Sequence, residues 1–252
     1  MVFVPGDPFG TNVGNTDNFV ATSGLPAASN GMLPGYYVNG FSNDFVTSSG
    51  NFVRNAAYTQ SITSGTTFTV GLTAGTDIVT ATGVSPVLTD DPVISALRLN
   101  NASLSSGAGR INTVTFKEAG NGDMGGIIAN AASPSVTANL RFGLNGDKDG
   151  FIYTEAARTM TMSADIAAAK IVKFGTGILA ISKDQRSFDQ TTAASFNWVV
   201  NEGQLTLNTF GASGTGSITL NGQATVSTLA VNAGTIYGAN AAVTRACVPL
   251  SP

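Results

Sequence analysis

The sequence predicts an all-β chain with little helix, built as a parallel β-solenoid. Three observations carry that expectation. The first is composition: 30 of 252 residues are Gly, and 12 Lys+Arg with 15 Asp+Glu bring the charged fraction to only 11%, against about 25% in an ordinary soluble domain. The second is a succession of short β-branched segments, most of them closed by Gly, Asn or Ser. The third is a phrase, Gly-x-[Leu/Ile]-x-[Leu/Ile], that recurs in the second half. Stacked short strands need apolar inner positions, Gly or Asn at corners with positive φ, and neutral Thr, Ser and Asn outside. An antiparallel sandwich or jelly roll is the alternative, but it leaves the recurring phrase without a purpose.

Taken in order, residues 1–30 are rich in Gly, Pro, Asn and Thr and show neither a period of 2 nor one of 3.6. They read as an irregular segment, either loose or exchanged with a neighbour. Residues 31–60 are aromatic, and Tyr36, Tyr37, Phe41, Phe45, Phe52 and Tyr58 are suited to closing one end of a core. From 61 to 100, TTFTVGL, DIVTATG and VISALRLN alternate β-branched with small polar residues. RTMTMSADI, KIVKFGTGILAIS, FNWVVNEGQLTLN and GTGSITLNG follow as further strands. The phrase is carried by Gly177–Ile181, Gly203–Leu207 and Gly216–Leu220, with a degenerate copy at Gly234–Tyr237. Its central residues Leu179, Leu205, Ile218 and Ile236 lie 26, 13 and 18 apart, within the half-coil to full-coil range of solenoids. YTEAARTM and ADIAAAKIVKF are the best helix candidates, and their β-branched and Gly flanks argue against both. The expected organisation is an irregular segment over 1–30, one solenoid domain over 31–245 and a tail over 246–252.

Composition also excludes. A net charge of −3 gives no basic footprint for nucleic acid. With no His, histidine triads and histidine metal sites are impossible. A single Cys, Cys247, rules out an internal disulfide framework or a thiolate zinc cluster. It reads as a small buried residue or as a partner for intermolecular pairing. No stretch approaches the roughly 20 apolar residues of a membrane helix. The opening MVFVPGDPFG has no positive n-region and no apolar h-region, so no signal peptide is expected in this chain.

At KIVKFGTGILAIS, FNWVVNEGQLTLN and GTGSITLNG the sequence resembles the autotransporter-associated β-strand repeat of bacterial surface proteins. Ile171–Ser182 is similar to its Lys-x-Gly-x-Gly-x-Leu-x-Leu block, Val200–Leu207 to its Val-Asn-x-Gly-x-Leu-x-Leu block and Gly214–Leu220 to its Gly-x-Gly-x-Ile-x-Leu block. MLPGYYVNGFSNDFVT (32–47) and VISALRLNNASLSSG (93–107) are similar to upstream stretches of its longer members. Phe174 and Ile178 are bulkier than usual, and SKDQRSFDQTTAAS replaces the usual Asn/Thr/Gly loop. The resemblance implies a right-handed parallel β-helix that is secreted or displayed on a cell surface.

Two sets of residues are candidates for a site. Asn145, Asp147 and Asp149, followed by Gly150, imitate the first ligands of a calcium loop. Ala156 stands where the bidentate closing ligand belongs and Glu155 is one residue early, so the segment reads first as a plain polar turn and second as a calcium site. Tyr36, Tyr37, Phe41 and Phe45 are the candidate ligand-binding patch: exposed rings would favour binding, buried rings a core or end-cap role. Acidic residues such as Asp44, Asp77, Asp123, Asp165, Asp184, Asp189 and Glu202 are scattered, without the paired carboxylates that glycoside hydrolysis uses. No enzyme and no cofactor other than calcium is expected. The expected function is a non-catalytic surface protein that self-assembles by head-to-tail or strand-exchange contacts into a fibre or layer. The alternatives are an adhesin or glycan-binding module with a host-surface ligand, and a virion fibre or capsid protein.

Overall fold

A computed structural model of the chain describes residues 2–3, 26–40, 42–49, 52–65, 67–68, 71–109, 111–117, 125–130, 133–188, 192–193, 196–221, 227–231 and 243–245. All regular elements among them are strands, and most pair in parallel. The largest sheet has nine strands, all paired in parallel. From one edge to the other these are Gln60–Ile62, Ile78–Thr82, Ala96–Asn100, Gly126–Ala129, Asp149–Thr154, Lys170–Phe174, Asn197–Val200, Ile218–Leu220 and Val243–Arg245. A five-stranded sheet runs Ser135–Val136, Thr159–Met162, Ile178–Ile181, Gly203–Leu207, Ser227–Val231, and a four-stranded sheet runs Val93–Ile94, Thr113–Phe116, Asn139–Phe142, Ile166–Ala167. The chain visits the three in rotation, for example Asp149–Thr154, then Thr159–Met162, then Ile166–Ala167, before returning to the nine-stranded sheet at Lys170. This is an all-β arrangement compatible with a β-solenoid. Parallel pairing separates it from an antiparallel sandwich.

Register explains why the sequence shows no fixed period. In the long sheet Gln60 pairs with Val79, Ile78 with Ala96 and with it Gly126, then Phe151, Val172, Val199, Thr219 and Thr244. Successive circuits are therefore 19, 18, 30, 25, 21, 27, 20 and 25 residues long. The strands hold register and the connections absorb the variation. Two copies of the recurring phrase pair directly, Leu179 with Leu205 and Ile181 with Leu207 in the five-stranded sheet. The third, at Ile218–Leu220, lies in the nine-stranded sheet against Trp198–Val200. The fourth lies outside the described residues.

The interior is an apolar stack. Val79, Leu97, Ile127 and Ile152 pair in sequence along the inner face of the long sheet, and Leu179, Leu205, Met160 and Ile166 close it from the other sheets. Trp198 is fully buried there, its Nε1–H donating to the Ser213 carbonyl at 3.0 Å. The outer face of the long sheet is apolar too: Ile78, Ala96, Ile128, Phe151, Val172 and Phe174 form a second cluster. That second stripe needs a cover, because water would otherwise face it. The cover comes from the N-terminal part, where Val38–Asn39 pairs with Asp44–Ser49 and this strand with Phe52–Asn55, both antiparallel. Val2–Phe3 adds to Val38–Asn39 in parallel within the same chain.

Corners are held by side chains, neutral apart from Asp91, that accept backbone N–H groups of the next circuit. The Thr59 hydroxyl accepts from Ile78 at 3.0 Å, Ser85 from Ser103 at 3.1 Å, and Ser103 from Ser135 at 3.0 Å. Asp91 accepts from Thr113 at 2.9 Å, Asn139 from Asp165 at 3.0 Å, and Asn197 from Ser217 at 2.9 Å. Irregular corners otherwise leave donors unpaired, and each unmet buried donor costs about 1–3 kcal/mol. Abundant Ser, Thr and Asn therefore satisfy the backbone without adding charge.

Candidate functional site

Inside this apolar stack Lys173 is the residue that most needs an explanation. It pairs with Ile152 on one side and Val200 on the other, both inner positions of the long sheet, and it is fully buried. Its ammonium donates to the carbonyls of Phe174 at 2.9 Å, of Gly175, and of Glu202 at 3.0 Å in the next circuit. The Glu202 carboxylate returns the contact by accepting the Gly175 N–H at 3.1 Å. Burial pushes the Lys173 pKa down from 10.5 to about 7, and the negative charge of Glu202 opposes the shift. All three N–H bonds of the ammonium are engaged by backbone oxygen, so its chemistry is that of a clamp between circuits.

The glycines of the same corner are dictated by how closely the turns stack. Gly203 has φ +75°, and a Cβ there would lie 2.4 Å from the carbonyl oxygens of both Gly175 and Gly177. At Gly177 a Cβ would lie 2.0 Å from the Glu155 carbonyl oxygen. The Lys-x-Gly-x-Gly run and the later Glu-Gly pair are thus two halves of one joint. Sequence reasoning singled out the glycines but not the lysine. The signal was present in the period-2 pattern of KIVKF, which places Lys173 on the same face as Ile171.

Next to this joint, Tyr153 donates its hydroxyl to Asn43 at 3.0 Å, and Asn43 donates to Glu155 at 2.9 Å. Burial, with Glu155 and Glu202 nearby, pushes the Tyr153 pKa up to about 12. These bonds fasten the N-terminal cover to the solenoid-like body. A second fastening uses Asp44, which meets Arg98 at 2.9 Å and accepts from Tyr58 at 2.7 Å, while Arg98 donates to the Ser42 carbonyl at 2.9 Å. Burial and Asp44 raise the Tyr58 pKa.

The candidate aromatic patch is drawn into this packing. Phe45 is 0% and Tyr37 8% exposed, and Tyr36 is half-buried with its ring 5.0 Å from Phe151. Phe41 lies outside the described residues. Burial of Tyr37 and Phe45 is what a packing role calls for. Phe45 and Tyr36 lie against the outer flank of the long sheet, which is apolar on both faces, while Tyr37 packs with Leu33, Val46 and Val53.

The structure gives the 145–149 segment the geometry of a turn between Asn139–Phe142 and Asp149–Thr154, which lie in different sheets. The Gly146 N–H donates to the Gly143 carbonyl at 3.2 Å, and the Lys148 N–H to Phe142 at 3.1 Å. Asn145 and Asp147 are exposed, while Asp149 is engaged by Lys170 at 2.6 Å. No group of three or more His, Cys, Asp or Glu is placed to hold a metal ion among the described residues. Millimolar calcium is expected to leave the melting temperature unchanged, and Asp149→Asn to cost less than about 1 kcal/mol, as for other partly exposed ion pairs. Calorimetry with and without calcium checks both, and a calcium-dependent rise lost in Asp149→Asn would place the ion in the turn.

The scattered acidic residues are engaged separately: Asp77 with Thr59, Asp165 with Lys183 at 3.8 Å, and Asp184 with Arg186. Asp123, Asp189 and Cys247 lie outside the described residues. Among the described residues no helix is long and apolar enough to cross a membrane.

The chain matches no family model, no curated protein and no solved structure. Its function therefore has to be argued from its own geometry.

Proposed function

We propose that the chain is a right-handed parallel β-helix with a non-catalytic structural role, secreted or displayed on a cell surface, whose copies join into a fibre or layer. The observation that carries this reading is the nine-stranded, wholly parallel sheet, the element expected of a stiff rod with backbone bonds running along its axis. Three features support it. The charged fraction is low enough for copies to pack without strong mutual repulsion. The side chain best placed for chemistry, Lys173, is committed to backbone carbonyls. The outer surfaces of the strands in the five-stranded sheet carry Thr, Ser, Ala, Gln and Ile178 rather than charge. The glycan-binding alternative loses support from the burial of Tyr37 and Phe45.

Assembly is tested by sedimentation velocity and negative-stain electron microscopy over a wide concentration range. Rods or sheets that lengthen with concentration are expected. Stable monomers at the highest concentration would overturn the assembly reading.

A further inference from the structure

Five Asn-Gly pairs occur in the sequence, at Asn30, Asn39, Asn121, Asn145 and Asn221. Such pairs are chemically labile, because glycine has no Cβ to hinder its backbone nitrogen from approaching the asparagine side chain. The fold separates the pairs whose two residues are both described. Asn39 is fully buried and donates to Asn55 at 2.9 Å, and Asn30 is half-buried and donates to Ser95 at 2.8 Å. Asn145 is exposed, and its side chain makes no hydrogen bond among the described residues. It also borders an open recess of about 210 Å³ with Lys117, Leu144, Asp147 and Lys148, which leaves room for a ring to form and for water to reach it.

We propose that Asn145 is a site of spontaneous deamidation, at which the chain acquires a new negative charge as it ages. The backbone nitrogen of Gly146, giving up its proton, attacks the Asn145 side-chain carbonyl carbon. A carbon–nitrogen bond forms, the bond to the side-chain nitrogen breaks, and that nitrogen leaves as ammonia with the proton. Water then opens the five-membered succinimide at either carbonyl, giving aspartate or isoaspartate. The hydrogen bond that holds the Gly146 N–H is the long one to Gly143, 3.2 Å, so little is lost when that nitrogen reacts. Lys117 and Lys148 line the same recess and provide cationic surroundings for the new carboxylate. The isoaspartate product inserts a carbon into the main chain. It therefore strains the contact of Gly146, which has φ +70° and no room for a Cβ beside Ala167.

The test is peptide mapping by mass spectrometry after incubating the folded chain at mildly acidic and mildly alkaline pH, with a urea-unfolded sample alongside. The peptide holding Asn145 is expected to gain about 1 Da as amide becomes acid, and to do so several-fold faster at alkaline pH. The peptides holding Asn30 and Asn39 are expected to stay unchanged until the chain is unfolded. Asn145→Gln is expected to abolish the gain in that peptide, because its longer side chain closes a less favourable ring. The inference is overturned if the folded chain leaves Asn145 intact while the unfolded chain deamidates there. Conversion of Asn39 in the folded chain as fast as Asn145 would overturn it equally.

Discussion

Lys173→Met is expected to lower stability by about 3 kcal/mol at pH 7, with the loss read from urea unfolding followed by circular dichroism. Methionine fills nearly the same volume, so the packing between Ile152 and Val200 survives. What it removes is the donor to the carbonyls of Phe174, Gly175 and Glu202. Buried acceptors left unmet cost about 1–3 kcal/mol each, and relief from burying an ammonium recovers part of that. The pH dependence separates these two contributions. In the folded chain the Lys173 pKa is lowered from 10.5 to about 7. Between those values the unfolded chain holds a proton that the folded chain has released, so native stability rises with pH across the window. The slope approaches about 1.4 kcal/mol per pH unit, because the unfolded chain binds one more proton than the folded chain in that window. Methionine does not titrate. The gap between wild type and variant is therefore expected to widen from pH 7 toward pH 10. Parallel curves for the two proteins would show that Lys173 keeps an ordinary pKa, and equal stability at pH 7 would remove it as a clamp.

Trp198→Ala is expected to cost about 3–5 kcal/mol, the range for truncating a large buried aromatic residue. Trp198 is fully buried, its ring is 5.0 Å from that of Phe196 in an edge-on arrangement, and its N–H meets the Ser213 carbonyl. Alanine there opens a cavity in the ladder Ile171–Trp198–Ile218 and leaves that carbonyl without its donor. Trp198→Phe keeps most of the ring and loses only the hydrogen bond, so it should cost less, about 1–2 kcal/mol. Because this is the one Trp in the chain, its fluorescence reports wild-type unfolding directly, and the variants are followed by circular dichroism. A cost below 1 kcal/mol for the alanine variant would show that the strands around Trp198 are not packed as described.

Much of this architecture was legible in the sequence where one residue type has one use. Gly177 and Gly203 signalled close turns, and short β-branched runs signalled strands. The circuit length was not legible, because circuits range from 18 to 30 residues as their connections vary, which breaks any periodicity while the strands stay in register. The recurring phrase does not tell that Gly216–Leu220 and Gly203–Leu207 enter different sheets. A phrase of five residues encodes a strand after a glycine, but not which sheet receives it. The aromatic segment from Tyr36 to Tyr58 was visible as packing material, yet its place on the flank was hidden. The hint lay in GIIA and GFIY, continuous apolar runs rather than alternations, which mark strands buried on both faces. Lys173 was passed over because a lysine is ordinarily read as solvated, and only the register of its neighbours places it inside.

Most corner hydrogen bonds between a backbone N–H and a side chain of another circuit share a direction, although Gly71, Ile166 and Gly175 donate to Asp90, Gln185 and Glu202 further along. Thr59, Ser85, Asp91, Ser103, Asn139 and Asn197 each receive an N–H from a residue further along the chain. A circuit that has already formed thus presents acceptors to the one still being laid down. Such a chain favours construction from its N-terminal side, with most completed layers offering acceptors to the next. If the protein emerges gradually, from a ribosome or across an envelope, it meets a prepared surface at most steps rather than waiting for its far end.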